Sequence, residues 1–214
     1  MKKLIMIFLF CLTSTALFAF DGRSNYGAYK NNIGFGLGYQ SQALVNDSNS
    51  SFNLYGTSLH FKREVSIRNE LNRTLFFESN LMIPFTSTIN NNGLYFDSSL
   101  LGVDSSDILF MDFILGSNYS TFKSKNTSSY IGSGIHSYYM FYENPISSRN
   151  YLLYGFGLSI DGGLQYYFNS SSILEFGTTA TFDFINLKYD GNQTTSMDYL
   201  SININATASI ISRF

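Results

Sequence analysis

Apolar and polar residues alternate with a period of two along most of this chain, most clearly from Tyr199 to Phe214. Successive side chains of a β-strand point to opposite faces, so that segment predicts a strand with one apolar and one polar face. Seven further segments alternate in the same way: 32–45, 52–62, 73–87, a segment that begins near 107, 129–142, 152–166 and 174–184. Each is long enough to cross a bilayer at a tilt, for which about 9–11 residues suffice. The pattern predicts an all-β fold, an eight-stranded antiparallel up-and-down transmembrane β-barrel.

A secreted soluble β-sandwich is the alternative fold, because its strands also alternate. Sandwich strands are usually about 3–10 residues long and must pair their apolar faces across a core. The composition favours the barrel, since charged residues make up 13% of the chain, against roughly 25% in soluble domains. Outward aromatic residues are predicted to form two interfacial girdles. One girdle contains Tyr55, Phe85, Tyr139, Tyr154 and Phe184, and the other contains Phe61, Phe77, Tyr119, Tyr166, Phe176 and Phe214.

The N-terminal segment has the pattern of a secretory signal peptide: Lys2 and Lys3, an apolar run from Leu4 to Leu12, then small residues that lead to Ala19. We expect cleavage after Ala19, and Leu17 at the minus-three position leaves the exact site open. An uncleaved helical anchor is the alternative, but the apolar run is shorter than the roughly 20 residues that a spanning helix needs. Residues 1–19 are therefore predicted to be a cleaved signal peptide, and 20–214 a single outer-membrane β-barrel domain.

Removal of the signal leaves 11 basic and 15 acidic residues, a net charge of −4, which argues against nucleic acid as a partner. Cys11 is the only cysteine of the chain, so the mature protein is expected to contain neither a disulfide nor a reactive thiol. Its stability must come from the strand ladder and from the membrane.

An even number of strands places both termini at the same end, which we expect to be periplasmic. The predicted periplasmic connections are 64–72, 123–128 and 169–172, and the predicted external loops are 46–51, 88–106, 143–150 and 186–198. Barrels of this kind have short periplasmic turns and longer external loops, a rule that these lengths follow on average. The sequence leaves open whether the long loop 88–106 folds over the mouth of the barrel.

The signal peptide, the eight alternating segments and the terminal Phe214 preceded by Ile210 resemble the small eight-stranded outer-membrane barrels, a group that includes the OmpA transmembrane domain, OmpX and OmpW. The resemblance implies a monomer in the outer membrane of a Gram-negative-type envelope, surrounded by outer-membrane lipids. It also implies insertion by the barrel assembly machinery, with Ile210 and Phe214 as the insertion signal. It carries no activity over, because this group includes structural anchors, adhesins, narrow channels and lipid-modifying enzymes.

The inward-facing polar residues are the candidates for chemistry, because an eight-stranded barrel has an interior just wide enough for side chains or one small ligand. The interpretation that we favour is a structural plug of salt bridges and hydrogen bonds, which buried charges require, with Lys62 as a further candidate partner. The predicted lumen-lining polar residues are Glu78, Asp112, His136, Asp161, Glu175, Asp183, His60 and Arg213.

Catalysis is not expected. A lipid-modifying hydrolase would need a serine, a histidine and an acid within hydrogen-bond reach near the external rim, and neither His60 nor His136 falls there. Two distant histidines are also a weak metal signal, so neither a metal nor another cofactor is predicted. The run Gly34-Phe35-Gly36-Leu37-Gly38 lacks the strand-turn-helix context of a nucleotide loop. Inward glycines of this kind relieve crowding and permit curvature of the wall.

The sequence therefore predicts a non-enzymatic, surface-exposed barrel with a structural or surface-interaction role, which loops 88–106 and 186–198 would carry. Host or envelope ligands of these loops are candidate partners. The alternative is a porin-like, narrow channel for small or hydrophobic solutes, lined by Phe110, His136, Tyr138 and Met140. Whether the lumen conducts, and which ligand the loops bind, cannot be read from the sequence.

Overall fold

The computed structural model describes residues 31–46, 50–66, 72–90, 98–100 and 102–213. The predicted signal segment and Phe214 lie outside these residues. The described elements are β1 (Asn31–Val45), β2 (Ser51–Ser66), β3 (Arg73–Asn90), β4 (Leu109–Lys123), β5 (Thr127–Asn144), β6 (Arg149–Tyr167), β7 (Ser172–Tyr189), β8 (Thr194–Met197) and β9 (Leu200–Arg213), with short 3-10 turns at Ser98–Leu100 and Ser105–Asp107. Within the described part of the chain, no helix is long and apolar enough to cross a membrane.

Eight of these strands form a closed antiparallel ring. Each strand from β1 to β6 pairs with the strand that follows it, so that this series ends with the pairing of β6 and β7. Strand β7 then pairs with β9, and β9 pairs with β1. This confirms the predicted eight-stranded up-and-down fold. The short strand β8 lies outside the ring and pairs only with the end of β7, so the predicted loop 186–198 contains a small hairpin extension.

The strands are staggered around the ring. A walk from Gly34 through successive cross-strand partners returns to β1 at Leu44, ten residues further along the strand. A stagger of this kind accompanies a strand tilt of roughly 35–45°, and an eight-stranded ring leaves an interior just wide enough to be filled by side chains. The geometry of the ring therefore limits what the lumen can hold.

The predicted alternation of faces is present in the ring strands. Large apolar side chains are exposed on the outer wall, while the polar and glycine positions between them point inward. Phe61 was predicted to point outward and is nevertheless 1% exposed. The rings of Phe35 and Phe77 flank it on the outer wall, with centroids 5.1 Å and 6.4 Å away, so neighbouring aromatics cover it.

A bulge near the end of β7 changes which residues face inward. The pairing with β6 skips Phe184, so that Phe184 and Ile185 are both exposed and Asn186 turns into the lumen. There Asn186 accepts a hydrogen bond from the Tyr138 hydroxyl (2.8 Å) and donates one to the carbonyl oxygen of Tyr199 (2.6 Å). The strand thus continues through residues that the alternation had assigned to an external loop. A bulge cannot be read from a strict period of two, because it adds one residue to one strand only.

Candidate functional site

An apolar cluster fills the lumen at the end where the predicted external loops lie, which we call the loop end. It combines inward side chains of the strands with Leu100, Val103 and Ile108 of the connection between β3 and β4. The strand members are Leu44, Phe52, Leu54, Met82, Phe110, Tyr138, Met140, Tyr142, Leu153 and, just before β9, Tyr199. The sequence left open whether the long loop 88–106 folds over the mouth of the barrel. The structure shows that part of the connection between β3 and β4 folds into it.

Hydrogen bonds hold this loop against β5. The hydroxyl groups of Ser99 and Tyr142 lie 2.6 Å apart, and the Asn144 side-chain amide donates to the carbonyl oxygen of Ser99 over 2.8 Å. Phe110, Tyr138 and Met140, which the sequence suggested as the lining of a channel, are fully buried, and the rings of Phe110 and Tyr138 stack with centroids 5.7 Å apart. At the loop end these residues form a packed core.

The other half of the lumen contains an ionic cluster centred on Lys62. The ammonium nitrogen of this residue lies 2.9 Å from Glu175, 3.2 Å from Glu78, 3.3 Å from Glu64 and 3.5 Å from Asp161. All five side chains are at most 4% exposed. One buried cation thus serves four carboxyl groups, and the cluster holds more ionisable side chains than any other part of the described lumen.

Neutral side chains add further hydrogen bonds to this cluster. Tyr130 accepts a hydrogen bond from Lys62 (3.1 Å) and donates one to Glu175 (3.0 Å), whose second oxygen accepts from the Gln165 amide (2.6 Å). Asn32 and Asn118 donate to the two oxygens of Glu64. Charged groups that are buried in this way need such partners.

A second network surrounds Asp112 in the middle of the barrel. Its carboxylate accepts hydrogen bonds from three amides: Gln40, Asn80 at 2.7 Å and Asn203 at 3.0 Å. The Asn80 oxygen lies 2.7 Å from His60 Nδ1. Three amide donors from different strands therefore satisfy this carboxylate and tie β1, β3, β4 and β9 together across the lumen.

His136 and Asp183 form a third group, with His136 Nδ1 2.6 Å from an Asp183 oxygen. The Ser201 hydroxyl donates to the other Asp183 oxygen over 3.0 Å. A hydrolytic triad needs the serine at the opposite ring nitrogen, where it can lose its proton to the histidine. His136 Nε2 has no hydrogen-bond partner among the described residues, so this histidine, acid and serine are not arranged for nucleophilic attack.

Two further predicted residues, Arg213 and Ile210, lie on β9. Arg213 is half-buried, donates to the Asn32 side chain (3.4 Å) and lies 5.2 Å from the Tyr167 ring. Ile210 is 67% exposed on the outer wall. Across the described ranges, no group of three or more histidine, cysteine, aspartate or glutamate side chains is placed to hold a metal ion.

Sequence reasoning missed Glu64 because the second strand was predicted to end at Lys62, and β2 continues to Ser66. The period of two could have found it, since Glu64 follows Lys62 on the inward face. The amides around Asp112 were also missed as a group, because their convergence depends on the register between strands that are far apart in sequence.

Two aspartates in the connections at the loop end are held by backbone amides. The amide of Ser106 donates to Asp104 over 2.9 Å, and this hydrogen bond lowers the pKa of the exposed carboxyl. The amides of Gln193 and Asn192 donate to Asp190 over 3.0 Å and 2.9 Å, and they lower its pKa in the same way. Both carboxylates therefore stabilise their turns in the charged form.

Comparison with known proteins identifies the fold. No protein-family model matches the sequence, and no curated protein matches it significantly. Among solved structures, the outer membrane protein OprG from Pseudomonas aeruginosa matches with a TM-score of 0.57 and 14% identity, over 88% of this chain and 97% of that one. The outer membrane protein AlkL, determined in DMPC lipid bilayers, matches with a TM-score of 0.54 and 15% identity, over 90% and 97%.

Neisserial surface protein A also matches, with a TM-score of 0.53 and 11% identity, over 86% of this chain and 97% of that one. At these identities the likeness shows the fold alone. The chain thus has the architecture of small outer-membrane β-barrels, as the sequence predicted.

Proposed function

We propose that this protein is an integral outer-membrane β-barrel that acts as a structural or surface-interaction protein through the loops at its loop end. The observation that supports this most strongly is the apolar cluster, in which Leu100, Val103 and Ile108 of the long connection close the barrel. Below it, the lumen contains the ion-paired and hydrogen-bonded side chains of the Asp112 and Lys62 networks. Because the interior is filled by side chains, the surface available to a partner is that of the loops.

Single-channel conductance in planar bilayers tests the closed lumen. We expect the purified, refolded protein to insert and remain silent, with folding checked by circular dichroism and by heat-dependent gel mobility. The matched variant carries Asp112→Asn and Asp161→Asn, which changes two lumen carboxylates. A stable wild-type conductance whose cation preference changes in this variant would favour the alternative function, a narrow channel for small solutes. A pathway for hydrophobic solutes would have to open the core around Phe110 and Tyr138.

Membrane location and orientation can be tested by cysteine labelling, because Cys11 of the predicted signal peptide is the only cysteine of the chain. The variants Ser106→Cys and Asn192→Cys place a thiol in exposed connections at the loop end, and Lys125→Cys places one in the exposed turn between β4 and β5 at the opposite end. We expect a membrane-impermeant maleimide to label intact cells at the first two positions only. Labelling at position 125 alone would reverse the orientation, and no labelling at any position would contradict a surface role.

Insertion by the barrel assembly machinery and a monomeric state are further parts of this proposal. They are supported by the closed ring, which leaves no free edge among the eight ring strands, and by the alternating final strand that carries exposed Ile210. The variant Ile210→Asp should lower the amount of protein assembled in cells while refolding of the purified chain into detergent is less affected. Equal loss in both settings would mean that Ile210 acts through stability and not through recognition.

A further inference from the structure

The charged side chains that are not buried are unevenly divided between the two ends of the barrel. We call the end where β1 begins and β9 ends the terminus end. Among the described residues that are not buried, the terminus end has five basic side chains and no acidic one, whereas the loop end has five acidic and two basic ones. The basic residues of the terminus end are Arg63, Arg73, Lys123, Lys125 and Arg213. The loop end carries Asp104, Asp107, Glu143, Asp190 and Asp198 with Arg149 and Lys188.

Arg63 lies on the outer wall. It stands between Lys62 and Glu64, which are buried in the lumen, so the alternation of the strand points it outward. Its cross-strand partners are Ile33 on β1 and Phe77 on β3, both apolar. A charged side chain on the lipid-facing wall of a barrel is unfavourable unless its head can reach the interface, where a phosphate can meet it.

Arg73 lies on the next strand, nearer the rim. It is opposite Tyr119 of β4, and its guanidinium carbon is 5.2 Å from the centre of the tyrosine ring. Outward tyrosines of a barrel lie at the depth of the lipid headgroups, so this contact holds the guanidinium at that depth. Lys123 ends β4 and Lys125 lies in the turn that follows, and both are exposed. Arg63, Arg73, Lys123 and Lys125 therefore lie toward the same end of the barrel, on three adjacent strands and the turn after the third. We call these four residues the basic rim.

We infer that the basic rim binds the phosphate headgroups of anionic phospholipids in the leaflet at the terminus end. This inference rests on the proposed membrane location. The planar guanidinium groups of Arg63 and Arg73 match the geometry of a phosphate and can donate two parallel hydrogen bonds to it. The lysines add positive charge within the short distance over which electrostatic attraction to a headgroup phosphate is not screened by salt. The acidic loop end would repel the same lipids, so the binding is confined to one leaflet.

The test measures the lipid shell directly. Wild-type protein is reconstituted in phosphatidylcholine vesicles, and electron spin resonance reports the association of spin-labelled phosphatidylglycerol relative to spin-labelled phosphatidylcholine. The rim variant carries Arg63→Gln and Arg73→Gln, and the matched control carries Arg149→Gln and Lys188→Gln at the loop end. We expect wild type and control to prefer phosphatidylglycerol by about twofold to fivefold, and the rim variant to lose most of that preference. High salt should weaken the preference of the wild type.

The outcomes separate the two proposals. Folded, inserted wild type without lipid preference would overturn the inference and leave the membrane location intact, as would equal loss of preference in the rim and control variants. Complete displacement by soluble glycerol phosphate would show that the rim binds a free phosphate anion and not a lipid, which also overturns the inference. Failure of the wild type to insert into the vesicles would overturn the proposed function and this inference with it.

Discussion

Replacing Lys62 with methionine is expected to destabilise the folded barrel strongly, because the substitution leaves four carboxylates in the lumen without their shared cation. The ammonium nitrogen lies within 3.5 Å of Glu64, Glu78, Asp161 and Glu175. Removal of one partner from a buried ion pair typically costs about 3–5 kcal/mol. Since Lys62 serves four acids at once, we expect a loss of about 4 kcal/mol or more, which is a large share of the roughly 5–15 kcal/mol that stabilises an ordinary domain.

The loss can be measured by urea unfolding of the refolded protein in detergent micelles, followed by far-ultraviolet circular dichroism. With a typical dependence of about 1–3 kcal/mol per molar urea, the midpoint should fall by more than about 1 M. Lys188→Met is the matched control, because this lysine is only half-buried and lies 5.8 Å from the Tyr151 ring. A contact between a cation and an aromatic ring at a partly exposed site contributes about 0.5–1 kcal/mol, so the control midpoint should move little.

A second variant separates lost charge from lost packing. Adding Glu78→Gln and Glu175→Gln to Lys62→Met removes two of the four acidic groups and keeps the shape of both side chains. If uncompensated charge causes the loss, this triple variant should be more stable than Lys62→Met alone. A loss below about 1 kcal/mol in Lys62→Met, or no recovery in the triple variant, would refute the view that the carboxylates depend on this cation.

Three further changes test other parts of the fold. Gly157→Ala should sharply lower the folded yield seen by gel mobility, because the added Cβ would lie 1.9 Å from a backbone oxygen of β7. The control Gly162→Ala, on the same strand, should fold normally, because its added Cβ would lie 3.5 Å from the nearest atom. The Asp190 turn should lose stability as pH falls below about 3.8. The backbone amides that lower the pKa of this carboxyl bind its charged form, so the stabilisation is lost when the carboxylate takes up a proton. Hydrogen-exchange protection of Gln193 should fall over that range, and in Asp190→Asn it should not depend on pH. Leu100→Asp should expel the loop from the apolar cluster and make 98–108 sensitive to protease, and unchanged resistance would contradict the loop's place in the core.

The ring strands could be predicted closely from the sequence because their signal is local. β1 was predicted over 32–45 and spans Asn31–Val45, and the seventh strand was predicted over 174–184 and spans Ser172–Tyr189. The main errors lie at strand ends and bulges. Asn186 faces inward only because one extra residue at Phe184 shifts the alternation, and nothing in the local pattern marks that insertion.

The sequence could predict which polar residues face the lumen, but not which of them contact each other. The sequence put Glu78, Asp161 and Glu175 on the inward face, and all three side chains are buried in the structure. It could not show that they meet at Lys62, because these residues come from four strands whose relative heights depend on the stagger of the whole ring. The closure by Leu100 was also beyond the sequence, since loop conformation depends on tertiary contacts that no periodic pattern encodes.

The inward glycines show how completely the side chains of this barrel occupy its interior. Three large rings each lie directly opposite a glycine on the neighbouring strand: Phe76 opposite Gly116, Tyr138 opposite Gly155, and Tyr130 opposite Gly163. A Cβ added at any of these glycines would come within 2.8 Å of the ring opposite it. Real side chains do not approach so closely, so each ring occupies the space that its glycine leaves empty. Because this matching occurs in both the apolar and the ionic half of the lumen, widening the bore would require several ring–glycine pairs to change together. A function at the outer surfaces does not require these ring–glycine pairs to change. The basic terminus end and the acidic loop end are two chemically different surfaces on which such a function could be located.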